Sequence, residues 1–423
     1  MKKSKYIIVS LLSAMALTSC SLFKDDDIVV ENHFNAKGQV EEQKEAEAKI
    51  GDVESQRVDD VPNALVFKNI VYSNKEGGKI ENTYTTANGF KYNVNEGADY
   101  VADKNNNNFD LYVPDGADRS KDQNVVLFIH GGAWISGLKT HVNPYVKKFA
   151  SEGYIAATIE YTLLNQEMNN TSLSIFRDLD EISACLSTMK KSLKELGFNE
   201  SKLHLVLGGA SSGAHLAMLY AYSRGVGHVC PFDDIKFLID VVGPTDIRAD
   251  VWKKFVDPDD RENPNALRSG ATQQGAGHLA DLNIAGQTNT WNDYQTMKIA
   301  NGMCGLPYPL SEVEASTHDN ETVDDTSSPM YKSLVSNSDS AEWLLSVTYH
   351  MNDTNKIPMI CAYAGNDQVV GVSQFANLEA KMIDAGTEYE FVYFKNCGHV
   401  DLDSDETQYN ELITKILNWM ATK

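Results

Sequence analysis

The sequence predicts an α/β fold: a mostly parallel, doubly wound sheet with an antiparallel start and an inserted cap region. Three observations carry that expectation. Strand-like apolar runs recur along the chain, and helix-like segments separate the later ones, as a parallel sheet covered on both faces requires. The opening runs have no helices between them, so they pair antiparallel. One long stretch, about 247–345, breaks the alternation and reads as the insertion.

At the N-terminus, Lys2, Lys3 and Lys5 precede an apolar run from Tyr6 to Leu17 that is too short to span a bilayer as a mature helix. Residues 1–19 read as a signal peptide. The run ends in "LTSC", which resembles a bacterial lipobox. That resemblance implies a lipidated Cys20, a membrane contact through the N-terminal lipid anchor alone, and a secreted lipoprotein at the outer membrane or cell surface. The alternative is ordinary signal cleavage with Cys20 incidental. "SLFKDDD" is similar to the acidic tract of some surface-exported lipoproteins. From Ser21 to about Asp60 the chain is charged and poor in aromatics, which predicts a solvated tether, with the folded domain spanning 61–423.

The strand-like runs then follow in order: "ALVFKNIVYS", "NTYTTANGFKYNV", "FDLYVP", "VVLFIHGG", "YIAATIEYT", "LHLVLGG", "FLIDVVG", "PMICAYAG" and "EYEFVYF". Helices are expected over Asp178 to Leu196, Gly213 to Ser223, Val372 to Ala385 and Thr407 to Met420. The insertion, rich in Gly, Asn, Gln, Asp and Ser, is expected to hold short helices over the C-terminal edge of the sheet.

Composition excludes some partners. With 59 acidic and 37 basic residues, the chain lacks the cationic surplus that a nucleic-acid surface needs. Besides Cys20 there are Cys185, Cys230, Cys304, Cys361 and Cys397, an odd number with no C-x-x-C, so buried thiols are expected. The histidines show no H-E-x-x-H, and "DKNNNNFD" lacks the Gly and closing Glu of a calcium loop, so no metal site is expected. Nothing in the sequence specifies an oligomeric state.

The chemistry centres on "LHLVLGGASSGAHLAML". Gly209-Ala210-Ser211-Ser212-Gly213 satisfies G-x-S-x-G, whereas a frame centred on Ser212 would put Ala210 and Ala214 at the glycine positions. The pattern has a physical cause: a strand-to-helix elbow crowds the neighbours of the nucleophile, so flanking positions must lack side chains. Three fixed residues recur by chance in about one chain in seven of this length, so the flanking strand and helix supply the discrimination. "VVLFIHGGAW" supplies a glycine strand exit where the N–H groups of Gly132 and Ala133, with that of Ser212, would meet an oxyanion. A packing role for His130 is the plainer alternative. "IPMICAYAGNDQVV" ends a strand at Asp367 and "YEFVYFKNCGHV" ends the next at His399, the acid and base in the expected chain order. Asp401 and Asp403 are alternative acids. A turn-capping Asp367 and a loop His399 are the plain readings of each residue taken singly.

"HGGAW", "GGASSGAHLA", "AGNDQVV" and "NCGH" match, in order and frame, the esterase and lipase group of α/β-hydrolases with an H-G-G oxyanion motif. The chain resembles that group over about Asp99 to Lys423, outside the insertion. "IEYTLL" departs from the group's frequent D-Y-R in having Glu160 and Thr162. The resemblance implies a serine esterase acting through an acyl-enzyme with no metal or organic cofactor, on a small-molecule or glycan ester of a short acyl or aryl acid. It leaves a peptidase or amidase open, and fold alone leaves an inactive surface glycan-binding lipoprotein open. Trp134 is the candidate acyl-pocket residue; Trp252, Trp291, Tyr294 and Tyr308 are candidate stacking residues, each also a plausible core aromatic.

Overall fold

A computed structural model describes residues 47–72, 83–85, 91–93, 107–164, 174–223, 229–248, 293–304, 308, 310–315, 317–318, 322–323, 327–334, 341–367, 369–371 and 373–423. The signal segment, Cys20, Trp252 and Trp291 lie outside the described residues, as do 249–292 and the side chain of Tyr294.

The strands are β1 (Lys49–Ile50), β2 (Val53–Val58), β3 (Val61–Val71), β4 (Thr83–Thr85), β5 (Lys91–Asn93), β6 (Asn108–Pro114), β7 (Gln123–Ile129), β8 (Ile155–Glu160), β9 (Leu203–Ala210), β10 (Ile235–Val241), β11 (Thr317–His318), β12 (Thr322–Val323), β13 (Met359–Ala364) and β14 (Tyr389–Phe394). Ten of them form one sheet in the order β1-β2-β3-β6-β8-β7-β9-β10-β13-β14. The pairs from β1 through β6 to β8 are antiparallel, and every pair from β8 to β14 is parallel. The class predicted from sequence is therefore the observed one. "NTYTTANGFKYNV" differs from expectation: β4 and β5 pair with each other in a separate two-stranded sheet.

The sheet also begins earlier than the sequence suggests. Residues 49–58, inside the expected tether, form β1 and β2. Their polar side chains face solvent, where Arg57 pairs with Glu47 at 2.5 Å and Asp115 at 2.7 Å. An exposed antiparallel edge needs few apolar residues, so its composition mimics a solvated linker.

Burial explains the layers. The central strands β8, β10 and β13 are buried almost throughout, as parallel strands covered on both faces must be. Their side chains alternate between two cores. Val125, Leu127, Ile129, Leu205, Leu207, Cys361 and Tyr363 join the first, while Val126, Phe128, Val206, Ile360 and Ala362 join the second. Helices α2 (Ile175–Glu195), α3 (Ser212–Tyr222) and α9 (Ser373–Ala385) cover the first core; α1 (Asn143–Ser151) and α10 (Glu406–Thr422) cover the second. Each fully buried Leu, Ile or Phe contributes about 1.5–3 kcal/mol.

Within the insertion the described residues form short helices: α4 (Asp293–Cys304), α5 (Leu310–Ala315), α6 (Pro329–Leu334) and α7 (Ala341–Leu345), followed by α8 (Val347–His350). Its two ends are tied together. Ile247 N–H donates to Ser346 Oγ at 2.9 Å, and Thr348 N–H donates to the Thr245 carbonyl at 3.2 Å. Buried Asp246 accepts from Ser346 Oγ (3.0 Å), Thr348 Oγ1 (2.7 Å) and Asn377 Nδ2 (2.6 Å), and it pairs with Arg248. Four cysteines, Cys185, Cys304, Cys361 and Cys397, are buried thiols, and burial pushes their acidities down by raising each pKa.

Candidate active site

All the candidate residues lie where parallel strands end. Ser211 follows β9, Gly132 and Ala133 follow β7, Asp367 follows β13 and His399 follows β14. C-terminal strand ends are where an open α/β sheet leaves a crevice.

Ser211 occupies a positive-φ conformation (φ 54°, ψ −125°) between β9 and α3. A non-glycine residue pays about 1–3 kcal/mol for such a backbone, and the surroundings enforce it. Ser211 N–H donates to the Val241 carbonyl at 2.8 Å, and the Ser211 carbonyl accepts from His215 N–H at 3.1 Å. The two flanking glycines permit the turn by allowing contact. A Cβ on Gly209 would lie 2.4 Å from the Gly213 carbonyl carbon, and one on Gly213 would lie 2.2 Å from the Ile129 carbonyl oxygen. The G-x-S-x-G spacing is thus the footprint of an elbow pressed against itself and against the end of β7.

The hydroxyl of Ser211 meets an imidazole. Ser211 Oγ lies 2.8 Å from His399 Nε2, and His399 Nδ1 lies 2.6 Å from Asp367 Oδ2. A carboxylate only accepts, so Nδ1 carries the proton and Nε2 is bare to accept from the serine. Asp367 is fully buried, and its other oxygen accepts from the N–H groups of Val369 (2.7 Å) and Val370 (2.8 Å). This grip fixes the carboxylate in rotation. Of the alternative acids, Asp401 is engaged elsewhere: it accepts from Gly398 N–H at 2.5 Å, bracing the turn that carries His399.

Facing the serine, Gly131 is packed so closely that a Cβ would sit 2.9 Å from Ser211 Cβ. Gly132 (φ 131°), Ala133 (φ 52°) and Trp134 (φ 63°) continue in positive-φ backbone. The loop's carbonyls are occupied: that of Gly132 accepts from Ile135 and Ser136, that of Trp134 from Leu164. Ser212 N–H opens α3, where the first turn leaves its donors without intrahelical partners. Three candidate donors and the Ser211 hydroxyl, in contact with His399, therefore border the same strand ends.

Trp134 is buried, its ring edge-on to His215 at 5.3 Å. His215 ties α3 to the insertion by donating from Nε2 to the Leu345 carbonyl at 2.7 Å, and burial pushes its pKa down to about 4. Tyr308 is half-buried against the first core. His130 is fully buried, stacked on Tyr161 at 4.4 Å. Sequence reading misses Gly131 and the Val369 and Val370 amides, and it offers Asp401 as an alternative acid rather than as the brace of a turn. Only the first glycine of "HGG" hints at Gly131; backbone donors leave no residue signature. Among the described residues, no group of three or more His, Cys, Asp or Glu side chains is arranged to hold a metal ion.

Fold and site together define an α/β-hydrolase with a serine, histidine and aspartate in hydrogen-bonded sequence. Residues 109–284 match the BD-FAE family model, and the resemblance to esterase-group α/β-hydrolases therefore holds. A truncated form of a carbohydrate esterase from gut microbiota has the same fold, with a TM-score of 0.50 at 14% identity over 82% of this chain and 100% of that one. A probable isoprenylcysteine alpha-carbonyl methylesterase of Oryza sativa subsp. japonica is 31% identical over 115 residues, covering 27% of this chain and 25% of the relative. A non-reducing polyketide synthase of Stereocaulon alpinum is 27% identical over 147 residues, covering 33% of this chain and 6% of the synthase. The chain thus spans only a small part of the curated relatives that it matches.

Proposed function

We propose that this chain is a serine esterase that cleaves carboxylic esters through an acyl-enzyme. The observation that carries the reading is the chain of contacts from Ser211 to His399 (2.8 Å) to Asp367 (2.6 Å) at the elbow. Ser211 Oγ attacks the ester carbonyl while His399 Nε2 takes its proton, and Asp367 stabilises the imidazolium. The N–H groups of Gly132, Ala133 and Ser212 receive the oxyanion. Collapse expels the alcohol with the proton from His399, and water then repeats the sequence to release the acid. The local similarity to a methylesterase supports an ester over an amide.

Short acyl or aryl esters, including acyl groups on glycans, are the proposed substrates, with Trp134 lining the acyl side. The glycan reading rests on the N-terminal "LTSC", which would place the domain at the cell surface through lipidated Cys20. Radiolabelled palmitate incorporated by the wild type and absent from Cys20→Ala is the expected result for that anchor.

The deciding experiment for the chemistry is labelling with a fluorophosphonate probe, followed by peptide mass spectrometry. Label on Ser211, lost in Ser211→Ala, is expected. Folded protein that takes no label, or takes it on Ser212, would overturn the assignment.

A further inference from the structure

Glu160, where "IEYTLL" departs from the family pattern, ends β8 directly beneath the oxyanion loop. His130 Nδ1 lies 2.8 Å from the Gly131 carbonyl, which only accepts, so Nδ1 carries the ring proton. That leaves Nε2 with a lone pair. Nε2 is fully buried without a hydrogen-bond partner, and the atom it faces is Glu160 Oε1 at 3.7 Å. Two lone pairs facing each other in a dry interior repel, whereas one proton between them draws the two atoms in from this separation to hydrogen-bond distance.

We infer that Glu160 and His130 share one buried proton, and that this proton orients the oxyanion donor of Gly132. Glu160 is a positioning residue in this scheme, which rests on the esterase reading above. The link to the site is covalent geometry. The Gly131 carbonyl and the Gly132 N–H belong to one trans peptide, so they point in opposite directions. Holding the carbonyl through His130 therefore aims the N–H.

Burial favours a neutral acid, against the nearby Lys139 charge. Lys139 donates its backbone N–H to Glu160 Oε2 at 3.1 Å, but its ammonium is taken by Asp110 at 2.7 Å, Asn69 at 2.6 Å and Asn108. Asp110 adds a repelling negative charge, and Tyr72 hydroxyl donates to the Glu160 backbone carbonyl rather than to the carboxyl. On the His130 side, Tyr161 covers the ring and donates to the His130 carbonyl at 3.2 Å, while His141 opposes a second positive charge. Asp178 acts on Tyr161 from α2. Burial pushes Glu160 up to about 7 and His130 down to about 4, so the proton resides on the carboxyl below pH 7. Above it, the carboxylate faces the imidazole lone pair and the grip on the Gly131–Gly132 peptide slackens.

The test is the pH profile of kcat on a p-nitrophenyl ester, each variant normalised to its own rate at pH 6. The wild type should fall by up to about tenfold per pH unit above a midpoint near 7, with KM little changed, because the oxyanion forms only in the transition state. Glu160→Gln keeps a permanent donor towards Nε2 and should lack this decline. His130→Asn, whose amide can replace Nδ1, should lack it too, and serves if Glu160→Gln fails to fold. An alkaline limb identical in wild type and variants would overturn the inference. Infrared difference spectra between pH 6 and pH 8, taken in an Asp240→Asn background because Asp240 titrates over the same range, read the proton without turnover: a carboxylic-acid carbonyl band lost with Glu160 present and absent from Glu160→Gln is expected. Failure of the esterase reading would show as missing probe label at Ser211 with that band intact; failure of this inference would show as label present with the band missing.

Discussion

Ser211 and Ser212 are adjacent hydroxyls with opposite surroundings. Ser211 Oγ meets His399, while Ser212 is held at the first position of α3, where its backbone N–H is the useful group. Ser211→Ala should lower kcat by about 10⁴-fold or more, while Ser212→Ala, which keeps the N–H, should cost less than about tenfold. Steady-state kinetics on one ester settles both. Asp367→Asn should also cost about 10⁴-fold, because the amide can donate to Nδ1 and trap the wrong tautomer; a rate near normal would mean that another group orients His399. These residues are legible in the sequence because each sits at the end of a recognisable strand. The places of Glu160 and Asp401 in the structure are not, since a carboxylate has the same spelling in a turn, a tether or a buried pair.

At the scale of elements, the elbow is a contact between backbones. Gly213 touches the end of β7, so Gly213→Ala forces Cβ into the Ile129 carbonyl oxygen, 2.2 Å away. A destabilisation of about 3 kcal/mol is expected from urea unfolding, since the obstacle is main chain and cannot rotate aside. Gly131→Ala meets Ala210 O at 2.8 Å and Ser211 Cβ at 2.9 Å. Its main effect should be on kcat, because the displaced atoms are the nucleophile and the donor loop; thermal unfolding measured beside kcat separates the two costs. The parallel strands are legible because double burial demands continuous apolar runs. β1, β2 and α1 are not: the first two are mostly exposed strands at one margin of the sheet, and α1 carries lysines and an asparagine beside its four buried residues.

Across the whole molecule, several buried groups titrate between pH 4 and 7. Asp240, beneath the elbow, accepts from Tyr363 hydroxyl at 2.6 Å and Gly243 N–H at 2.9 Å, and burial raises it from 3.8 to about 7. Its contribution to stability is full below about 3.8 and is lost as pH rises to about 7, because the folded state holds a proton that the unfolded chain releases. His130 and His215, pushed from 6.5 down to about 4, contribute in the opposite sense: fully above 6.5, and lost as pH falls towards 4. Asp240→Asn keeps a neutral side chain and removes one acid from this balance. Relative to the wild type, it should gain stability as pH rises from 4 to 7, by at most about 1.4 kcal/mol per unit. Chemical denaturation at four pH values checks the slope; parallel curves would mean that Asp240 is ionised throughout.

The knot of hydrogen bonds around Asp246 has a further consequence. The excursion from Ile247 to Leu345 leaves and re-enters the fold at neighbouring residues, so its ends form a closed stem even though Met297, Met303 and Leu334 within it pack into the first core. Once such a stem is joined, each doubling of the length beyond it costs only about 0.6 kcal/mol in closure entropy. Apart from the side chains that pack into that core, the stretch can lengthen or shorten while Ser211, His399 and Asp367 stay at the ends of the sheet. Under the proposed esterase reading, what the site admits and what it does chemically can therefore diverge.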